Sequence, residues 1–116
     1  MPHYLIQAAY TTEAWHAMVN NPPQNRTEVV RRSIEHLGGK LVGSWASFGD
    51  YDTIAIVELP TSVDAAAIAV AVAAGGSCRT IKTTPLLTTE EALEALKKAA
   101  TTGYKPIGAS ASAATQ

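Results

Sequence analysis

The sequence predicts an α+β fold, with one antiparallel sheet and helices packed on a single face. Three observations lead there. Strand-like and helix-like segments follow one another in the order β-α-β-β-α-β. Two of the strands are joined only by the short turn Gly49-Asp50-Tyr51, which makes them antiparallel neighbours. Glycine pairs and prolines (Gly38-Gly39, Pro60, Gly75-Gly76, Pro85) fall where one element must end and the next begin.

Each element has its own signal. His3 to Tyr10 alternates as a strand, with Tyr4, Ile6, Ala8 and Tyr10 on one face and His3, Leu5, Gln7 and Ala9 on the other. Both faces are partly apolar, which suits a strand inside a sheet. Thr12 to Val19 makes a short helix, broken by Asn20-Asn21-Pro22-Pro23 because proline lacks an amide proton and restricts its predecessor. Asn25 and Glu28 form a capping pair for a helix to Leu37, whose Val30, Ile34 and Leu37 make an inward stripe. Gly38-Gly39 ends it through the left-handed cap that glycine adopts without strain.

Lys40 to Phe48 is the second strand, with Leu41, Gly43, Trp45 and Ser47 alternating with Val42, Ser44, Ala46 and Phe48. After a three-residue loop, Asp52 to Leu59 is the third, rich in β-branched residues and stopped by Pro60. Thr61 and Asp64 cap an alanine- and valine-rich helix that ends at Gly75-Gly76; its small side chains allow close approach to the sheet. Ser77 to Thr84 is the fourth strand, closed by Pro85. Thr88 and Glu91 then open a last helix with acidic residues first and Lys97-Lys98 at its end, matching the helix dipole. Residues 1–100 are expected to form the domain and 101–116 an Ala/Ser/Thr-rich flexible tail. The order is that of a ferredoxin-like fold.

Composition narrows the function. Nine basic residues balance ten acidic ones, so no bulk charge marks a nucleic-acid binder. The longest apolar run, Ala65 to Ala74, is half of what a bilayer crossing needs, and the N-terminus lacks the pattern of a secretory signal. With a single cysteine, Cys78, the expectation is a cytoplasmic protein without membrane or nucleic-acid partners.

Several stretches taken together resemble the GYD domain family. They are Gly49 and Tyr51-Asp52 running into an apolar strand with Glu58, "YLIQAAYTTE" from Tyr4, "HLGGKLVGSWASFGDYD" from His36 and "CRTIKTTPLLTTEE" from Cys78. The resemblance covers about residues 3 to 95, and departs at Pro22-Pro23, in the alanine-rich helix and in the long tail. It implies a ferredoxin-like domain of the dimeric α+β barrel type and carries no established reaction. The wider superfamily includes cofactor-free monooxygenases, haem-handling enzymes and stress-responsive barrels, which bear on this chain by analogy of fold alone.

Candidate chemistry centres on the turn. Gly49 suits a positive φ, and Asp50 or Asp52 can accept hydrogen bonds from backbone amides, which makes the segment a hairpin corner. The functional reading makes Tyr51 a hydrogen-bond donor and Asp52 a base or orienting acceptor, with His36 the third catalytic candidate. Tyr10, Trp15, Trp45 and Tyr51 are candidate ligand-binding aromatics, or else core and interface residues. His3, His16 and His36 form no local metal motif, so neither a metal site nor a cofactor is expected. Cys78 reads as a small buried residue, and Arg79 as a partner for Glu58 or Asp52.

A sheet covered on one side leaves the other face, still apolar on several strands, to be buried by a second copy. The reading that results is a homo-oligomeric accessory protein that binds a small apolar ligand or a protein partner. The alternative is a cofactor-independent monooxygenase-like enzyme acting on an apolar or aromatic substrate. Haem or metal handling through a histidine is a third.

Overall fold

The computed structural model describes residues 1–108. The described residues fall into two compact units, one spanning Met1–Leu86 and the other beginning at Leu87. The first contains β1 (His3–Tyr10), α1 (Thr12–Asn20), α2 (Arg26–His36), β2 (Lys40–Ala46), β3 (Thr53–Glu58), α3 (Ser62–Ala74) and β4 (Cys78–Leu86). The second contains α4 (Thr89–Ala99), which has the full Thr88–Glu91 capping box and Lys97-Lys98 in its last turn. The tail predicted from Thr101 lies outside the described residues from 109 onward.

The four strands make one antiparallel sheet in the order β2-β3-β1-β4, the ferredoxin-like arrangement, with β1 and β3 in the middle. One face of the sheet carries three registered rows of side chains. They are Leu41, Val57, Tyr4 and Pro85; then Ser44, Ala55, Ile6 and Thr83; then Ala46, Thr53, Ala8 and Ile81. Leu41, Val57 and Tyr4 of the first row pack with Ile34 of α2 and Ala65 of α3 into the core, joined by Leu59, while Pro85 at the sheet edge is exposed. Ile34, Val57 and Leu59 are the largest side chains essentially sealed from solvent. The opposite face carries Lys40, Glu58, His3 and Leu86; then Gly43, Ile56, Leu5 and Thr84; then Trp45, Ile54, Gln7 and Lys82.

Four local expectations need correction. Strict alternation does not hold along β2, because the register shifts between Leu41 and Gly43. Leu41 and Ser44 therefore share the helix-covered face, which a regular strand would forbid. Pro85 does not close β4, which runs on to Leu86 with Pro85 opposite Tyr4. An edge strand tolerates proline because its outward side has no ladder bond to lose. Asn25 makes no side-chain cap at α2, and Glu28 pairs instead with Arg31 at 3.2 Å. The β2–β3 connection is six residues, Ser47 to Asp52, closed by Ser47 N–H donating to Asp52 C=O at 3.0 Å.

Two glycines are required by geometry. Gly49 sits at φ +140°, a conformation other residues reach only with strain. At Gly39 a Cβ would fall 2.3 Å from the Glu58 carbonyl oxygen and 2.7 Å from Leu59, so only glycine lets β2 start this close to β3. Thr61 and Asp64 complete the expected capping box on α3. Among the described residues, no helix is long and apolar enough to cross a membrane.

Candidate functional site: a chamber between sheet and helices

Along β1 and β2 the side chains of these rows shrink from one end of the sheet to the other, Tyr4 to Ile6 to Ala8 and Leu41 to Ser44 to Ala46. Leu41, Val57 and Tyr4 fill the space under the helices, but Ala46, Thr53 and Ala8 do not reach it. The result is a cavity of about 470 Å³ continuous with the core, inside the range of small-molecule sites. Ile6, Ala8 and Ala55 form its floor, Val30 and Ile34 of α2 and Ile68 and Val72 of α3 its roof, and Ile81 a side wall. Trp15 and Met18 of α1 close over it.

Polar groups gather at the small-residue end. The Asp52 Oδ2 atom accepts a hydrogen bond from the Tyr10 backbone N–H at 2.9 Å, while the Asp52 N–H donates to the Ala8 carbonyl at 2.9 Å. Asp52 thus ties the start of β3 to β1 at the point where the β1–β4 register shifts, between Ala9 and Tyr10. The Tyr10 ring meets Trp15 edge-on, with centroids 5.3 Å apart and planes at 85°. Cys78 opens β4 at the same end, half-buried, and burial raises its thiol pKa above the ordinary value. Arg26 lowers that pKa and Asp52 raises it, the signature of a cation and an anion both near the sulfur.

The sequence candidates are distributed as follows. Tyr10, Trp15, Trp45 and Asp52 all border the cavity. Trp45 does so from the strand edge, with its indole over Gly43 on the uncovered face. Tyr51 is not in the cavity wall; its carbonyl accepts from Ser47 Oγ at 2.7 Å, fastening the turn. His36 ends α2 and borders a separate shallow concavity with Arg32 and Glu35. Arg79 pairs with neither Glu58 nor Asp52, and Glu58 faces His3 across the strands at 3.7 Å. Among the described residues, no three His, Cys, Asp or Glu side chains cluster as metal ligands would. Sequence reading missed Arg26, Ser44 and Cys78 as wall residues. The shrinking rows were the available signal, hidden by the irregular register of β2.

The fold and site define a small α+β domain with a chamber between sheet and helices. The family profile of the GYD domain matches residues 4–96, and the chain belongs to that family. No curated protein matches the chain. A solved structure described as the crystal structure of FFRP-DM1 is similar with a TM-score of 0.49 and 15% identity, over 75% of this chain and 100% of that one.

Proposed function

We propose that this GYD-domain protein is a self-associating binder of a small apolar molecule, held in the chamber between the sheet and α1–α3. The observation that carries the reading is the loss of side-chain size along β1 (Tyr4, Ile6, Ala8) and β2 (Leu41, Ser44, Ala46) toward one end, with the small Ala55 of β3 between them, which leaves about 470 Å³ lined mostly by aliphatic groups. An empty space of that size forfeits dispersion contacts and hydrophobic burial, so an apolar occupant stabilises the fold. Self-association is supported by the sheet face opposite α2 and α3, where Leu5, Ile54 and Ile56 lie in adjacent rows, each partly exposed, and Trp45 is 54% exposed.

An enzymatic reading of the cofactor-independent monooxygenase type draws support from one feature, the Asp52 carboxylate in the wall. Its Oδ2 is already committed to the Tyr10 amide, which favours a structural duty over proton transfer.

The test is titration with 1-aminoanthracene, a neutral fluorescent probe of apolar cavities. Saturable emission with one probe per chain is expected, lost in Ser44→Phe, which sets an aromatic ring on the chamber floor. Absence of saturable binding by the folded wild-type protein overturns the reading.

A further inference from the structure

The chamber is not uniformly apolar, and its polar groups are arranged asymmetrically. Arg26 is the one cationic side chain in its wall. It makes no ion pair among the described residues, whereas Arg31 is held by Glu28 at 3.2 Å. Asp52 is the one anionic side chain in the wall, and one of its oxygens is occupied by the Tyr10 amide. Arg26 begins α2, two turns before Ile34, which packs with Tyr4 and Leu41 at the large-residue end, so Arg26 lies toward the small-residue end where Asp52 sits. The other end is closed by Ile34 and Val57, both sealed from solvent. A ligand that fills this space therefore meets hydrocarbon along its length and, at one end, an unpaired guanidinium beside a carboxylate that is already engaged by the Tyr10 amide.

A guanidinium is a fork of N–H donors matched to a carboxylate. It bonds a neutral hydroxyl less strongly. Arg26 is exposed at the start of α2, so its charge costs little in the empty protein and can meet the head of a ligand entering tail first.

Building on the chamber reading above, the geometry points to an amphipathic monoanion as the ligand class: an unbranched or aromatic hydrocarbon body carrying one carboxylate, tail against Ile34 and Val57 and head on Arg26. Decanoate and 1-decanol separate the two parts of this claim, because they share a tail and differ in the head. With 1-aminoanthracene bound, decanoate displaces the probe at roughly tenfold to a hundredfold lower concentration than 1-decanol, the range of a charge-assisted hydrogen bond. Arg26→Gln brings decanoate to the level of 1-decanol, a loss of roughly tenfold or more, and alters binding of 1-decanol and the probe by far less than that. Because Arg26 is exposed and unpaired, this variant keeps its fold, checked by circular dichroism. If the probe binds but decanoate and 1-decanol compete equally in wild type, or if Arg26→Gln weakens both alike, the ligand class is wrong and the chamber reading survives. If the probe itself fails to bind, the chamber reading fails and this inference falls with it.

Discussion

Replacing Asp52 separates the structural account of the Gly-Asp-Tyr-Asp turn from a catalytic one. In Asp52→Ala the Tyr10 N–H loses the acceptor 2.9 Å away and is left unsatisfied in a partly buried position. A lost bond to a charged acceptor, with its donor stranded, costs about 1–3 kcal/mol. In a unit the size of Met1–Leu86, each kcal/mol lowers the melting temperature by roughly 4–8 °C. Asp52→Asn keeps a side-chain carbonyl at the same place and loses only the charge, so its cost is about 1 kcal/mol or less. The backbone bond from the Asp52 N–H to Ala8 is untouched in both. Thermal and urea unfolding followed by circular dichroism give the ranking, with Asp52→Ala clearly below Asp52→Asn and the latter near wild type. Equal stability of all three would refute the structural role. Turnover on any substrate that vanished in Asp52→Asn at unchanged melting temperature would assign the carboxylate to catalysis.

Other outcomes follow from the same geometry. Gly39→Ala drives a Cβ into the Glu58 carbonyl, a backbone atom that cannot swing aside, and lowers stability by about 1–3 kcal/mol or more in denaturant titration. Gly43→Ala meets only the outer edge of the Trp45 ring, which can turn away, so its main effect is a shifted Trp45 emission. The Cys78 thiol, raised by burial, reacts with a disulfide reagent more slowly at neutral pH than an exposed cysteine, and more slowly still with the chamber filled. Since the unfolded chain gives up that proton first, the contribution of Cys78 to stability is complete below the ordinary thiol pKa and declines as pH rises through the folded value. Ile56→Lys, on a central strand of the uncovered face, shifts the protein to smaller species in sedimentation velocity if that face is the self-association surface.

Most of the fold was legible because its signals are local. The Thr61–Asp64 and Thr88–Glu91 boxes, the glycine pairs and the alternation in β1 each depend on residues a few positions apart, and each reappears in the structure. What was lost depends on pairing. The shift between Leu41 and Gly43 turns Ser44 and Ala46 inward and Trp45 outward, and no alternation rule applied to β2 alone reveals it. Pro85 reads as a terminator in sequence and becomes permissible only once β4 is an edge. The candidate site was legible in half. Tyr10, Trp15, Trp45 and Asp52 border one cavity, whereas Tyr51 and His36 are directed elsewhere by the turn and by the end of α2. Arg26 escaped because its role depends on which end of the sheet the first turn of α2 overlies. The loss of size from Tyr4 to Ala8 and from Leu41 to Ala46 is visible in the sequence. It becomes a chamber only when antiparallel register stacks those losses at one end.

The central claim is that a ligand enters between sheet and helices, and methyl-resolved NMR during a decanoate titration addresses it most directly. Ile6 and Ile81 on the covered face of the sheet and Ile68 and Val72 of α3 border the chamber, while Leu5, Ile54 and Ile56 lie on the opposite face of the sheet. The account predicts saturable shifts in the first set and little change in the second. Shifts confined to Leu5, Ile54 and Ile56, or no saturable shift at all, would contradict it.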